Sequence, residues 1–454
     1  MRLSGLRGLT ALALVLALGP SVPAITAPAP AAASFKATEF TLANGMRVVV
    51  IPDHRAPVVT HLVWYRVGGT DDPPGLSGIA HLFEHLMFKG TKTVPNGELS
   101  KTVARNGGQD NAQTSHDYTV YFQRIAKERL ALMMELEADR MVNLDLSEPN
   151  VVTERDVVLE ERNLRVESDP DSLAREQMDG ALHLSHPYGR PVIGWREEIR
   201  SIGRPEALDF YTHHYGPNNA MLMVVGDVTP EEVKRLAEQK FAPVASRPIV
   251  PRRNEPLPPR LAETRIEFAI PGTKLPSLSR IYRVPSYVNG ARGTAETMEV
   301  LASVLGGGAT SRLYKALVVD RKLAVDAGAY YSGHTRGPAE FGVYAVPRDG
   351  VNFDALEQAI DQVMRTMTMA APAAGEVESV KTRLVADYTY EQDNQFVLAN
   401  GYGRALIIGL TIADVEDWPN RVRAVTADDV RKAAQTYLSR QEAVTGRMSV
   451  RAGP

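Results

Sequence analysis

The segment "ALDFYTHHYGPNNAMLMVVGDV", residues 207–228, is echoed at the end of the chain by "ADDVRKAAQTYLSRQEAVTGRMSV", residues 427–450. Each begins as an amphipathic helix that ends on an aromatic residue, breaks briefly and closes on a strand. Between them, "PVASRPIVPRRNEPLPP" (243–259) carries six prolines. Proline locks φ and removes backbone donors, so this run reads as a semi-rigid linker. The echo predicts two divergent copies of one α+β unit, each about 200 residues long. The domains are placed at 36–242 and 261–454, with the linker at 243–260.

Outward from that segment, the turn and strand signals are local. "FTLANGMRVVVIPDHRAPVVTHLVW" (40–64) reads as two strands joined by a turn, with Asn44-Gly45 marking a tight hairpin. "GGQDNAQTSHDYTVYFQRI" (107–125) reads as one further strand, with Asn111 near its start and His116 facing solvent or a chamber. "KERLALMMELEADRMV" (127–142) is an amphipathic helix, and Pro149 fits the first turn of the next one. Met221 to Val228 is a buried strand, and Thr229 caps the helix after it. Strands resume near 265–270 and 279–282. "GGGATS" (306–311) lacks the ending of a phosphate loop and reads as a turn before a helix. His183, His186, His213 and His214 read as structural.

The formal net charge is −3, so no basic field favours nucleic acid as a partner. The chain has no cysteine. That excludes thiolate metal sites, disulfides and cysteine nucleophiles, and leaves His, Asp and Glu as the possible metal ligands. At the N-terminus, "MRLSGLRGLTALALVLALGPSVPAITAPAPAAAS" places Arg2 and Arg7 before an apolar run from Leu9 to Leu18, then small residues and prolines. This is a secretory signal peptide over 1–33, with cleavage after Ala24 or within Ala31–Ala33. The run is shorter than the roughly 20 residues a spanning helix needs. The mature protein is expected outside the cytoplasm, in a bacterial periplasm, without stable membrane insertion.

"HLFEHLMFKG" (81–90) carries the chemistry. Residues four apart on a helix share a face, so His81 and His85 project together and can reach one ion. Glu84 stands beside them, placed to take a proton from a metal-bound water. The bare string recurs by chance too often to stand alone, so a third ligand is needed. The helix opened by Pro149 offers Glu160 and Glu161. Glu161 shares a stripe with Val151, Glu154, Val158 and Leu164, which is apolar apart from its two carboxylates and should face the core. Glu160 shares a polar stripe with Thr153, Asp156, Asn163 and Glu167, which should be solvated. Buried carboxylates are costly unless a cation neutralises them. Glu161 is therefore assigned as third ligand. Glu154 is assigned as a carboxylate that orients a ligand or adds negative potential. Two His, one Glu and an open fourth position make a catalytic zinc arrangement.

H-x-x-E-H is the inverzincin pattern. With it the chain resembles the family of pitrilysin, insulin-degrading enzyme and the mitochondrial processing peptidase. Glu161 follows His85 by 76 positions and Glu154 precedes Glu161 by seven, as the family motif requires. "FEHLMFKGT", "HPYGRPVIG" and "YGPNNAMLMVVGDV" extend the resemblance along the mature chain. It implies two α+β domains, each a mainly antiparallel sheet backed by helices, enclosing a chamber. It also implies one Zn2+ per chain, and peptide or unfolded substrates adding a strand beside Asn111, Ala112 and Thr114. One feature departs from the family. Active single-chain members carry an Arg and a Tyr that stabilise the oxyanion. In "LGGGATSRLYKALVVDRKLAVDAGAYY" (305–331) those positions are Val318 and Val325. Neither valine donates a hydrogen bond.

The resulting expectation is a zinc metalloendopeptidase in which Glu84 activates a zinc-bound water. Full activity would need a homologous, zinc-less partner carrying the Arg/Tyr pair, in a heterodimer or otherwise a homodimer. Two other readings compete with it: a non-catalytic or weakly active zinc-bearing scaffold, and a metal-dependent hydrolase of another kind.

Overall fold

The structure, a computed structural model, describes residues 35–252 and 257–450. The segment expected to be a signal peptide, with its expected cleavage sites, lies outside the described residues. The Asn44-Gly45 turn forms as read: Gly45 takes φ +87° and joins β1 (Thr38–Thr41) to β2 (Arg47–Pro52), with Thr41 opposite Arg47. The 40–64 segment, however, holds three strands and not two. The break at Asp53–Pro57 separates β2 from β3 (Val58–Tyr65). β6 (Ala220–Gly226) inserts between β2 and β3, parallel to the first and antiparallel to the second. Every residue of β6 is buried, which is why "AMLMVVG" is almost continuously apolar.

A second correction concerns 107–125, which is a hairpin of β4 (Gln109–Thr114) and β5 (Thr119–Ala126). Its turn is built by Ser115, whose Oγ accepts from the backbone N–H groups of Asp117 and Tyr118, both at 3.1 Å. Ser-His-Asp was the turn signal. His116 sits in this turn and not on a strand. Its Nε2 lies 3.0 Å from the Arg190 carbonyl and its ring packs against Tyr188.

The first sheet has the order β1-β2-β6-β3-β5-β4, leaving β4 on an edge. The second comprises β7 (Thr264–Phe268), β8 (Ser277–Val284), β9 (Ala324–Ser332), β10 (Ala339–Pro347) and β11 (Ala443–Met448), in the order β7-β11-β8-β10-β9. Without β1 the two orders are the same when strands are taken in chain sequence. Both sheets are antiparallel except for one parallel pair, β2 with β6 and β7 with β11. The echo between 207–228 and 427–450 is thus a repeat of topology: each helix feeds the strand inserted next to its domain's first long strand.

The helices used below are α1 (Ile79–Leu86), α2 (Leu130–Asn143), α3 (Glu148–Arg162), α4 (Pro170–His183), α5 (Arg204–His214), α6 (Pro230–Lys240), α7 (Thr294–Gly306), α8 (Phe353–Met369), α9 (Ala374–Glu391), α10 (Gln395–Ile408) and α11 (Ala427–Tyr437). One face of the first sheet packs on α1, α2, α5 and α6. One face of the second packs on α7, α8 and α11. The opposite faces are covered reciprocally. Leu398, Tyr402 and Leu406 of α10 lie on Ile51, Leu62, Trp64 and Met223 of the first sheet. Met178 and Leu182 of α4 lie on Ile281 and Val444 of the second. A β-carbon at Gly403 would fall 2.1 Å from the Trp64 ring, so only glycine lets α10 approach this closely. Each half thus covers the other's second apolar face, and burial of each large aliphatic side chain contributes about 1.5–3 kcal/mol. Among the described residues, no helix is long and apolar enough to cross a membrane.

Candidate metal centre

α1 begins after Gly78, which sits at φ +89° and whose hypothetical β-carbon would meet the Ile193 carbonyl oxygen at 2.4 Å. A glycine cannot cap with its side chain. Asp72 does so from the preceding loop: one carboxylate oxygen accepts from Gly78 N–H at 2.7 Å and the other from Ala80 N–H at 3.0 Å. Ile79, Leu82, Phe83 and Leu86 point into the core and fix the helix's rotation. His81, Glu84 and His85 are thereby turned toward α3 and β4.

α3 delivers its carboxylates as the helical phase predicts. Val151, Glu154 and Val158 are buried, Glu161 is half-buried, and Thr153, Asp156 and Glu160 are exposed. Leu164 breaks the pattern and is 64% exposed. The α-helix ends at Arg162 and continues as a π turn over Asn163–Glu167, and the wider turn rotates Leu164 out of the stripe. Glu167 also departs from expectation, being half-buried between Arg162 and Arg196.

One oxygen of Glu161, Oε2, lies 3.2 Å from His85 Nε2 and 3.8 Å from His81 Nε2. Among the described residues, these three form the one group whose donor atoms all lie within 4.8 Å of one another. A tetrahedral zinc with bonds of about 2.1 Å separates its donors by about 3.4 Å, so the spacing and the donor types fit zinc. The other His85 nitrogen, Nδ1, lies 3.3 Å from Glu154, and Glu154 is paired with Lys89 at 2.5 Å. Glu154 therefore contacts the His85 ring from outside the donor set. Arg165 grips the second oxygen of Glu161 from one turn further along. Lys89 and Arg165 escaped the sequence reading. Each sits four residues beyond a candidate ligand, and that spacing was the available signal. Asp72 was also missed, although "DDPPG" before the helix marks a turn with carboxylates.

Electrostatically, the metal-free cluster is set up for a cation. Burial lowers the His85 imidazole, but its bonds to Glu154 and Glu161 outweigh burial and raise it to about 9. His81, buried and beside His85, is lowered to about 4. Hydrogen bonding to His85 lowers Glu161 to about 2 against its burial. Burial pushes the Glu84 carboxyl above its ordinary value, opposed by hydrogen bonds from the Thr114 hydroxyl and backbone N–H. Glu84 is thus tied to β4. On that open edge Asn111 is exposed, while Ala112 and Thr114 are half-buried.

Val318 lies half-buried in a π turn over Lys315–Asp320, and Val325 is 51% exposed on β9. Of the three neighbouring donors, Tyr314 stands half-buried on the same turn as Arg312, and the other two are committed. Arg312 holds Glu376 with two bonds at 2.8 and 2.7 Å, and the Tyr330 hydroxyl is shared between Arg175 and Glu340.

Known proteins match along the same lines. Residues 47–195 fit the model of insulinase, peptidase family M16, and residues 201–384 that of the peptidase M16 inactive domain. Zinc protease PqqE of Helicobacter pylori is 28% identical over 413 residues, covering 90% of this chain and 92% of that protein. An uncharacterized zinc protease of Mycobacterium tuberculosis is 32% identical over 306 residues, covering 65% and 67%. The crystal structure of a protease from Helicobacter pylori superposes with a TM-score of 0.86 at 26% identity, covering 91% of this chain and 99% of that one. Fold and relatives together define a metallopeptidase class with zinc as the implied metal. The chain belongs to peptidase family M16.

Two results are expected of the site. His81→Ala, His85→Ala and Glu161→Gln each lose zinc on purification, Glu154→Gln binds it about 10–100-fold more weakly, and Glu160→Gln keeps it. Metal analysis checks this, and full occupancy in the first three variants would remove the assignment. Second, His85 is protonated below about pH 9 in the metal-free protein, whereas a ligand imidazole must be neutral. Zinc uptake at pH 6 should therefore release about one proton per chain. Affinity should rise about tenfold per pH unit between 6 and 8. Calorimetry in buffers of different ionisation enthalpy measures both, and proton-independent uptake would contradict the charge state given for His85.

Proposed function

We propose that the mature chain is an exported zinc endopeptidase, binding one zinc and hydrolysing peptides or unfolded segments held in a chamber between the two halves. The observation that carries this reading is the position of Glu84. It directly precedes His85 on α1, is close enough to His85 and Glu161 to feel their charges, and interacts with Thr114 on an open strand edge.

His81, His85 and Glu161 would hold the zinc. When bound there it supplies a Lewis acid that lowers the pKa of water to about 7 and polarises a carbonyl. The chain's own groups do the rest. An extended substrate pairs with the free edge of β4 beside Asn111, Ala112 and Thr114, where main-chain hydrogen bonds give affinity with little sequence demand. Only extended backbone can pair this way, which selects peptides and unfolded segments over folded surfaces. Glu84, raised by burial, is a stronger base than an exposed carboxylate. It takes the proton of the attacking water and returns it to the leaving amine. Glu154 keeps the His85 ring aimed while Lys89 balances its charge.

Export rests on the signal-like sequence at 1–33. The partner reading rests on Val318 and Val325: this chain would bear the zinc, and a homologous subunit would supply the missing donors.

The direct test is turnover of an unfolded protein by the purified mature chain. Hydrolysis should disappear on chelation and return with one equivalent of zinc. Undiminished activity after complete metal removal would exclude this function.

A further inference from the structure

The repeat in topology carries over to the site. α7 is the second-half counterpart of α1, and both follow a left-handed glycine, Gly293 at φ +87° and Gly78 at φ +89°. Counting from those glycines, Glu296 stands where the first half has His81, Glu299 where it has Glu84, and Val300 where it has His85. α9 is the counterpart of α3. Counting from the caps Ser147 and Ala373, Asp387 falls where the first half has Glu161. The strand registers make Ala329 and Tyr331 of β9 the equivalents of Ala112 and Thr114 of β4. With both histidines gone, the donor set of the first half is not repeated here among the described residues.

What remains is a cavity of about 520 Å³, within the size range of small-molecule sites. Glu299, Asp387, Ala329 and Tyr331 all line it. Its polar centre is the Glu299 carboxylate, which accepts from Trp418 Nε1 at 3.0 Å; the same N–H lies 2.8 Å from the Tyr287 hydroxyl. Tyr287, Tyr331, Tyr388 and Trp418 form aromatic walls, with Tyr388 and Trp418 5.0 Å apart between ring centres. Asp387 and Glu391, one turn apart on α9, stand exposed among the lining residues. The cation in the wall, Arg421, is neutralised by Glu296. Carboxylates at the centre and rim, with ring faces between them, favour a positive guest. A bare metal ion would leave the aromatic walls unused, whereas an amine on an apolar body uses both.

We propose that this former counterpart of the metal centre is a binding site for a small organic cation, an amine carrying an aromatic or apolar body, with Glu299 as its charge partner and Asp387 at the rim. Burial pushes the Glu299 carboxyl up to about 7, the state of an acid without a full counter-charge, and agrees with the geometry.

Ligand-observed NMR titration of the intact mature chain tests this with three probes of similar size: 2-phenylethylamine, neutral 2-phenylethanol and anionic 3-phenylpropanoate. The amine should bind at least about tenfold more tightly than the alcohol, and the anion should not bind. Glu299→Gln should reduce amine affinity about tenfold or more, to the level of the alcohol. Asp387→Asn, an exposed change that leaves the fold intact, should weaken the amine severalfold without affecting the alcohol. Equal binding of amine and alcohol, or an amine affinity indifferent to both substitutions, would overturn the proposal. Loss of amine binding in Glu84→Gln instead would place the ligand in the first half and overturn it equally. A lysine side chain presents the same head group. Tighter binding of Nα-acetyl-lysine amide than of 2-phenylethylamine would make the guest a peptide side chain and defeat the small-ligand assignment.

Discussion

Glu84→Gln should reduce kcat for peptide hydrolysis by about a thousandfold while the protein keeps one zinc and its fold. General-base catalysis contributes roughly 10²–10⁴ in rate, and a thousandfold corresponds to about 4 kcal/mol of lost transition-state stabilisation. Glutamine fills the same volume and still hydrogen-bonds to Thr114, but an amide cannot take the water's proton. The substitution also leaves His81, His85 and Glu161 untouched, so metal content separates a lost base from a lost site. Steady-state kinetics, metal analysis and thermal unfolding on one preparation decide the matter. A variant with normal zinc and near-normal turnover would mean that another group accepts the proton.

Adding a homologous partner that carries the Arg/Tyr pair should raise kcat of this chain by about a hundredfold. One oxyanion donor is worth about 3 kcal/mol. Val318 and Val325 supply none, and the nearby Arg312 and Tyr330 are committed to Glu376 and to Arg175 and Glu340. Such donors act mainly on the transition state, so the gain should appear in kcat more than in KM. The partner is sought by co-purification from the native source, and kinetics are then run with and without it. A fully active isolated chain, unaffected by any companion subunit, would refute the divided site.

Legibility followed the range of the interactions involved. His81, Glu84 and His85 were readable because the helical repeat alone puts them on one side of α1. Glu154 and Glu161 were readable because α3 keeps ideal phase up to Arg162. Leu164 was misread where the π turn over Asn163–Glu167 departs from that phase. The Ser115–Tyr118 turn was overlooked because β4, Gln109–Thr114, is polar apart from Ala112 and carries no strand pattern of its own beside the apolar β5.

By itself, the sequence determined the repeat, the helix phases, the Asn44-Gly45 turn and the residue types able to hold a metal. Apart from the repeat, which is a likeness between distant segments, these depend on neighbours within a few residues. Only the tertiary structure decided that β6 inserts between β2 and β3, that β4 is left on an open edge, and that α4 and α10 each cover the other half's sheet. Those arrangements rest on contacts between residues far apart in the chain, such as Gly403 against Trp64. The local pattern records only that a face is apolar, and packing of the whole chain selects what covers it.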